Sequence, residues 1–262
     1  MKLFYREVGD PTATPIIIVH GLFGSSDNWL TISKTIAARG YRVILPDQRN
    51  HGQSPRSEAF SYVDMATDIH ELITDLKLEN PILMGHSMGG KIVMQYAFTF
   101  RNAEPSGMFS HLVVVDIAPK FYPVHHNNIL RGLAAIDLKG TRTRAEADTI
   151  LSTYEPSPTV RQFLLKNLYR EEVDGTSQFA WRLNLPVISR EIHGIGEGLT
   201  SFNPVDKPTL FIRGRQSPYV LDSDWPSILH LFPNAQLATI EDAGHWVQAE
   251  KPAEFVAALM GF

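Results

Sequence analysis

Residues 81–90 have the sequence Pro81-Ile82-Leu83-Met84-Gly85-His86-Ser87-Met88-Gly89-Gly90. A short apolar run, typical of a buried strand, leads into Gly-x-Ser-x-Gly, and a helical pattern follows over residues 91–97. A sharp turn from strand to helix lifts a serine hydroxyl clear of its neighbours. Gly85 and Gly89 lack a β-carbon, so the two elements can approach closely. The stretch therefore predicts Ser87 as a nucleophile, with the amide groups of the new helix facing the developing negative charge.

The composition restricts the classes of function. The chain has 262 residues, enough for one large α/β domain. A net charge of -4 without a long basic run argues against nucleic acid or an anionic membrane as a partner. The absence of cysteine excludes disulfides and thiolate catalysis. The N-terminus lacks the apolar core of a signal peptide, and no apolar stretch approaches the ~20 residues of a membrane span, so we predict a cytoplasmic protein.

Strands and helices alternate along most of the chain. We predict strands at 2–8, 15–20, 41–47, 82–86, 111–116, 208–214 and 236–241, and helices at 27–39, 62–78, 222–231 and 254–260. Apolar strands that alternate with helices indicate a mostly parallel sheet covered on both faces, the arrangement of the α/β class.

Residues 119–204 interrupt this alternation. They contain helical patterns at 127–136, 144–152 and 159–168, and we predict no strand among them. We therefore predict a core made of residues 1–118 and 205–262, with residues 119–204 inserted as a helical cap. Open α/β sheets place their sites at the carboxyl edge, so we expect the cap to cover that edge.

A serine nucleophile needs a base, and ten histidines compete for that role. His245 lies between the last predicted strand and the last helix, at the sheet edge where Ser87 is expected. His86 is adjacent to Ser87, but neighbours on a tight turn point apart. Four other histidines lie in the cap or on helices: His125, His126, His193 and His230. We therefore predict His245 as the base.

Two strand ends could supply the acid that orients the imidazole. Asp116 follows Val113-Val114-Val115, whereas the loop after residues 208–214 has no carboxylate before Asp222, which we predict to lie in a helix. The chain order Ser…Asp…His is the one expected on this fold. We assign Asp116, with Asp222 as the alternative. Asp116 could instead be an N-cap or an anchor of the cap segment.

The oxyanion also needs two donors. The Met88 N–H is one because this residue follows the nucleophile, and the second should come from the loop after residues 15–20, with Leu22 first and Phe23 second. No histidine or carboxylate spacing matches a metal site, and no Gly-x-Gly-x-x-Gly follows a strand. We therefore predict no metal and no cofactor.

These motifs resemble those of the α/β-hydrolase superfamily, and most of all small bacterial serine esterases of the esterase YbfF type. The stretches that carry the resemblance are 20–25, 49–54, 85–91, 116–119, 217–220 and 243–247, with 162–166 and 181–184 in the cap. The resemblance implies a Ser-His-Asp hydrolase with a helical cap that acts on short acyl esters, with acyl-CoA thioesters as a further class. It also implies Asp116 as the acid and places Ser217 beside the triad, bonded to His245 or Asp116.

We predict a serine carboxylesterase that works through an acyl-enzyme on a small-molecule ester, as a monomer or small homo-oligomer. We expect apolar side chains to form the substrate pocket: Phe23, Phe121, Phe163, Leu164, Trp181 and Trp246. The cap members of this set could equally be plain cap core. Two alternatives keep the same triad: a C–C bond hydrolase or perhydrolase, and a ligand-binding receptor with slow turnover.

Overall fold

Seven strands form the central sheet of the computed structural model, which describes residues 1–100 and 109–262. The strands of the chain are β1 (Tyr5–Val8), β2 (Thr14–Val19), β3 (Tyr41–Pro46), β4 (Ile82–His86), β5 (Leu112–Val115), β6 (Leu168–Val173), β7 (Thr176–Trp181), β8 (Thr209–Gly214) and β9 (Ala235–Ile240). The sheet order is β1-β3-β2-β4-β5-β8-β9, with β1 antiparallel to β3 and the other pairs parallel. The predicted mostly parallel sheet is confirmed.

Helices cover both faces of this sheet, and others lie in the segment between β5 and β8. The helices are α1 (Leu30–Ala37), α2 (Tyr62–Asp75), α3 (Met88–Phe100), α4 (Asn127–Ala135), α5 (Arg144–Ser152), α6 (Pro158–Leu165), α7 (Leu185–Gly196), α8 (Trp225–Leu231), α9 (Val247–Glu250) and α10 (Pro252–Met260). Successive residues of a strand point to opposite faces. Thus Ile17 joins the buried cluster with α2 and α3, and Ile16 joins the cluster with α1 and α10.

The inserted segment contains more than helices. It holds α4–α7, and it also holds β6 and β7, which pair as an antiparallel hairpin. The prediction that residues 119–204 contain no strand is therefore wrong. Most residues of β6 are charged or exposed, so no buried alternation marks it, but Asp174-Gly175 is a typical hairpin turn and both residues have positive φ, 50° and 73°. The segment enters after β5 and leaves before β8, which are neighbours in the sheet.

Candidate active site

Ser87 lies on the sharp turn that the sequence predicts between β4 and α3. Its φ is 54°, a left-handed value that is uncommon for a residue with a side chain. A β-carbon at Gly85 would lie 2.0 Å from the Gly89 carbonyl oxygen, and one at Gly89 would lie 2.2 Å from the Val19 oxygen. The Ser87 N–H donates to the Val115 oxygen at 3.0 Å, which ties the turn to β5. Glycine is thus required at both positions, because a side chain at either one would collide with a backbone oxygen.

Asp116 follows β5, is fully buried, and accepts hydrogen bonds from three groups. Its Oδ1 accepts the Gly214 N–H at 3.1 Å. Its Oδ2 accepts both the Ser217 hydroxyl and His245 Nδ1, the latter at 2.7 Å. These three donors fix the orientation of the carboxylate. The carboxylate in turn holds the His245 imidazole by its Nδ1 atom. The alternative acid, Asp222, is instead 84% exposed and pairs with Arg213, so the structure does not bring it to this site.

The His245 imidazole is held on its other sides as well. Its ring stacks on Tyr219, with the centroids 4.1 Å apart. His86 Nε2 lies 2.7 Å from the His245 carbonyl oxygen, to which it donates. Burial, with the neighbouring His245, lowers the pKa of His86 to about 3, so His86 is neutral and carries its proton on Nε2. The side chain next to the nucleophile therefore holds the backbone of the predicted base.

Within the described residues, no hydrogen bond joins Ser87 Oγ to His245. Such bonds are often long in ligand-free sites and tighten when substrate binds. His245 remains the imidazole that meets Asp116 at the same sheet edge as Ser87, since β4 and β5 are parallel neighbours.

Two backbone amides near Ser87 are free to hold an oxyanion. In the described part of the chain, neither the Leu22 N–H nor the Met88 N–H donates a hydrogen bond. The Phe23 N–H, the alternative donor, is already committed to His51 Nε2 at 3.3 Å. Burial lowers the pKa of His51 to about 3. Its Nδ1 bonds the Arg49 oxygen at 3.0 Å, so Nδ1 carries the proton and Nε2 accepts.

Further contacts fix the loop that carries Leu22. Phe23 has a φ of 61°, and its carbonyl accepts the Asn167 side-chain amide at 2.8 Å from the inserted segment. His20 Nδ1 bonds the Gly21 oxygen at 2.8 Å, and the Gln48 N–H donates to His20 Nε2 at 2.9 Å. Burial lowers the pKa of His20 as well. Two neutral histidines and one asparagine thus determine the conformation of this loop.

A narrow cleft opens onto Ser87 and is called here the Ser87 cleft. Its empty space measures about 440 Å³ with the open mouth counted. Residues from the nucleophile turn, the inserted segment and α2 line it, among them Leu22, Tyr62, Met88, Lys91, Tyr122 and Ile192. The cleft thus contains both predicted oxyanion donors and Ser87, the predicted nucleophile.

None of the six predicted pocket side chains lines the Ser87 cleft. Phe121 is 61% exposed and lies outside this cleft. Leu164 and Trp181 are buried in the apolar core, where they pack against other side chains of the inserted segment. Phe23 packs edge-on to a histidine ring, and Phe163 packs against Trp246 with their rings 5.7 Å apart. The predicted substrate contacts therefore stay a prediction, and the wall of this cleft consists of other residues.

The cleft contains polar side chains that the sequence reasoning missed. Lys91 lies one helical turn after Ser87. Its charge, in an otherwise apolar stretch of helix, is the feature of the sequence that could have indicated a place in the site. Tyr62, Tyr122 and Tyr219 had no comparable signal, because the packing of the inserted segment brings them to the cleft.

Over residues 1–100 and 109–262, no three His, Asp or Glu side chains lie close enough together to bind a metal ion. In that same part of the chain, no helix has both the length and the apolar character to traverse a bilayer.

Comparisons with known proteins identify relatives over nearly the full length. A family model described as alpha/beta hydrolase fold matches residues 14–252. The chain is 38% identical over 261 residues to sn-1-specific diacylglycerol lipase ABHD11 of Mus musculus, covering 97% of this chain and 82% of the relative. It is 38% identical over 247 residues to Esterase YbfF of Escherichia coli (strain K12), covering 94% and 91%. A solved structure described as Marine microorganism esterase is 41% identical, with a TM-score of 0.91 and coverage of 100% and 99%.

Proposed function

Because this chain belongs to the α/β-hydrolase fold family, we propose that it is a serine esterase that hydrolyses short-chain acyl esters through an acyl-enzyme. The observation that carries the proposal is the hydrogen bond of 2.7 Å between His245 Nδ1 and Asp116, beside the turn that presents Ser87. Relatives that cover more than nine-tenths of this chain bear the names esterase and lipase, which supports the same reaction class.

The first half of the reaction forms the acyl-enzyme. Ser87 Oγ attacks the ester carbonyl carbon while His245 Nε2 takes the hydroxyl proton, and Asp116 stabilises the imidazolium without taking that proton itself. The carbonyl oxygen becomes an oxyanion held by the N–H groups of Leu22 and Met88. When the tetrahedral intermediate collapses, the bond from carbon to the alkoxy oxygen breaks. His245 then returns its proton to the leaving alcohol.

The second half releases the acid. His245 takes a proton from a water molecule, whose oxygen attacks the acyl carbon, and the same two amides hold the new oxyanion. The bond to Ser87 Oγ breaks, and the imidazole returns the proton to the serine. Ser217 contributes by donating to the Asp116 oxygen that also faces His245, which keeps the carboxylate oriented.

Residues 119–204 act in this proposal as a cap over the sheet edge. Their contacts support this role, since Asn167 bonds the oxyanion loop and the Tyr62 hydroxyl donates to the Ile195 oxygen of α7 at 2.8 Å. The small Ser87 cleft favours short acyl groups. Acyl-CoA thioesters are a second substrate class for the same chemistry, because the thiol leaves more easily than an alcohol.

Covalent labelling tests the nucleophile. A fluorophosphonate probe should label the wild-type protein and leave Ser87→Ala unlabelled, because only an activated serine reacts. The alanine variant should also lose turnover of p-nitrophenyl acetate and butyrate. If Ser87→Ala kept that turnover, Ser87 would not be the nucleophile.

Measured rates separate the remaining alternatives. Turnover of p-nitrophenyl butyrate below about one per minute, against a median near 10 s⁻¹ for enzymes, would indicate a binding protein that retains the triad. Rates on acyl esters of two to sixteen carbons and on the matching acyl-CoA thioesters then define the substrate class. A wild-type protein that cleaves neither class but accepts a C–C bond substrate, or forms a peracid from hydrogen peroxide, would contradict the esterase assignment.

A further inference from the structure

Lys91 is a buried cation in the wall of the Ser87 cleft. It lies on the first turn of α3, four residues after the nucleophile, and only 1% of the residue is exposed. None of the described residues that line the cleft is Asp, Glu or Arg. Lys91 therefore gives the wall of the cleft its positive charge. Charged side chains are rarely buried without a partner of opposite charge.

The hydrogen-bond and ring partners of this ammonium are neutral, and the exposed Glu197 carboxylate, whose charge acts to raise the pKa of Lys91, makes no ion pair with it. Lys91 Nζ donates to the Glu197 carbonyl oxygen at 2.5 Å and to the Gly196 oxygen at 3.4 Å, at the C-terminal end of α7. It also lies 4.9 Å from the Tyr122 ring centroid and 5.6 Å from that of Tyr62. Within the part of the chain that the structure describes, no carboxylate lies within 4.0 Å of Nζ.

Anchoring the end of α7 does not require this charge. A neutral amide donor could bond the same carbonyls at a smaller desolvation cost, because an uncompensated buried ion is far more expensive than a buried amide. Two carbonyls also leave one of the three ammonium hydrogens without a bonded acceptor. The site is therefore incomplete in a way that an anion would complete.

The ammonium keeps its charge near neutral pH. Burial lowers the pKa of Lys91 to about 8, so most molecules carry the proton at pH 7. Burial raises the pKa of Tyr62 and of Tyr122, so both phenols stay neutral. Burial lowers the pKa of His126, another lining residue, to about 4, so it is also uncharged. The interior of the cleft is thus positive.

The position of the cleft indicates which part of a substrate meets Lys91. Ser87, Leu22 and Met88, which would hold the reacting carbonyl, line the cleft, whereas His245, which would protonate the leaving alcohol, does not. The acyl part of an ester therefore occupies the cleft. Lys91 and Ser87 both line this cleft and are about one helical turn apart in the sequence, so the acyl chain that joins the ester carbonyl to a group at the ammonium is short.

We propose that Lys91 binds a carboxylate at the far end of the acyl chain, so that the preferred substrates are monoesters of short dicarboxylic acids. This proposal rests on the proposed esterase function. The chemistry is unchanged, since water cleaves the ester bond and the products are an alcohol and a dicarboxylate. A charge-assisted hydrogen bond in a site with little water provides the selectivity.

A comparison of two nearly isosteric esters tests the proposal. Monomethyl glutarate carries a carboxylate where methyl 5-oxohexanoate carries a neutral acetyl group, and a pH-stat follows the hydrolysis of both at pH 7. For the wild-type protein we expect kcat/KM to be at least ~10-fold higher for the charged ester. Monomethyl succinate and adipate bracket the chain length.

Variants at the same position attribute the preference to the charge. Lys91→Met keeps the length of the side chain and should abolish the preference, whereas Lys91→Arg should retain part of it. Lys166→Met, at an exposed position of the inserted segment, is the matched control and should leave the preference unchanged. Glutarate itself should inhibit p-nitrophenyl butyrate turnover by the wild type more strongly than 5-oxohexanoate does.

The outcomes distinguish this proposal from the one on which it rests. If the wild type hydrolyses both esters without preference, or prefers the neutral ester, the Lys91 proposal is overturned while the esterase function stands. The same follows if Lys91→Met keeps the preference. If the wild type hydrolyses neither these esters nor p-nitrophenyl butyrate, the proposed function fails first. The wild-type comparison is decisive even if Lys91→Met does not fold.

Discussion

The Asp116 carboxylate accepts hydrogen bonds from three groups, which lie at or after the ends of two different strands of the sheet. Gly214 ends β8, Ser217 lies in the loop after it, and His245 follows β9. A carboxylate with its lone pairs engaged in this way has little freedom to rotate, so it fixes the imidazole tautomer with the proton on Nδ1. The opposite nitrogen is then available as the base for Ser87.

Replacing this carboxylate by an amide should therefore disable the base. We expect Asp116→Asn to lower kcat on p-nitrophenyl butyrate by about 10⁴, because the amide favours the wrong imidazole tautomer. Ser217→Ala is the milder control, since it removes one donor and leaves the carboxylate in place. An Asp116→Asn enzyme with more than a tenth of the wild-type kcat would contradict this assignment.

The Phe23 N–H donates a hydrogen bond to His51 Nε2, which holds the loop that carries Leu22, the proposed oxyanion donor. We expect His51→Leu to lower kcat by about 10² with little change in KM, because the loop would lose the bond that holds the left-handed Phe23 and directs the Leu22 N–H. His51→Gln can accept from Phe23 and donate to the Arg49 oxygen, so it should restore much of the loss. Equal kcat values for the leucine variant and the wild type would show that the loop holds its shape without His51.

At the scale of the elements, the junction of β4 and α3 depends on the absence of side chains. A β-carbon at Gly89 would lie 2.2 Å from a backbone oxygen of β2, which cannot move aside as a flexible side chain can. By contrast, a β-carbon at Gly194, inside α7, would meet no atom within 4 Å.

These two glycines provide opposite tests in urea unfolding. Gly89→Ala should lose more than about 4 kcal/mol of unfolding free energy or fail to fold, because α3 would have to shift from the sheet. Gly194→Ala should gain about 0.5–1 kcal/mol, because alanine restricts the unfolded chain and suits a helix interior. A stable Gly89→Ala protein with full activity would show that the contact is not tight.

The elements also show how far sequence reasoning reaches. The apolar strands were predictable because burial on both faces leaves an uninterrupted run such as Ile16-Ile17-Ile18, and their ends located Ser87 and Asp116. The hairpin β6–β7 was missed because β6 contains Arg170-Glu171-Glu172, which reads equally well as a solvated helix. The residues of the cleft wall were missed because tertiary contacts bring them together, such as the hydrogen bond between Tyr62 of α2 and Ile195 of α7. The local sequence pattern carries no information about such contacts.

For the molecule as a whole, hydrogen bonds join the inserted segment to the loop between β3 and α2. The Arg56 side chain donates to the Trp181 oxygen at 2.9 Å, and the Asn184 N–H donates to the Asn50 oxygen at 2.9 Å. Buried neutral histidines lie in the same region, so acid should affect folding and the site together.

Histidine burial predicts a loss of stability in mild acid. Burial lowers the pKa of His51 and His86 to about 3 and that of His126 to about 4, all below the unfolded value near 6.5. Between pH 6.5 and 4 the unfolded chain binds more protons than the native one, so stability falls as pH falls. Each histidine contributes up to about 1.4 kcal/mol per pH unit in that window.

Urea midpoints at pH 7, 6 and 5 measure this slope. We expect a progressive fall below pH 6.5, and a shallower fall in His126→Gln, which removes one of the three groups. Midpoints that stay level from pH 7 to pH 5 would mean that these rings ionise without penalty in the native protein.

The contact between Tyr219 and His245 has a consequence for inhibition. The phenol that covers the imidazole bonds His125 of the inserted segment at 2.9 Å, and the Tyr122 hydroxyl donates to the Tyr219 carbonyl. A compound that displaced Tyr219 from the inserted segment would tilt His245, the proposed general base, away from Ser87. Such an inhibitor would leave the serine unmodified and would spare hydrolases whose imidazole is not stacked on a tyrosine in this way.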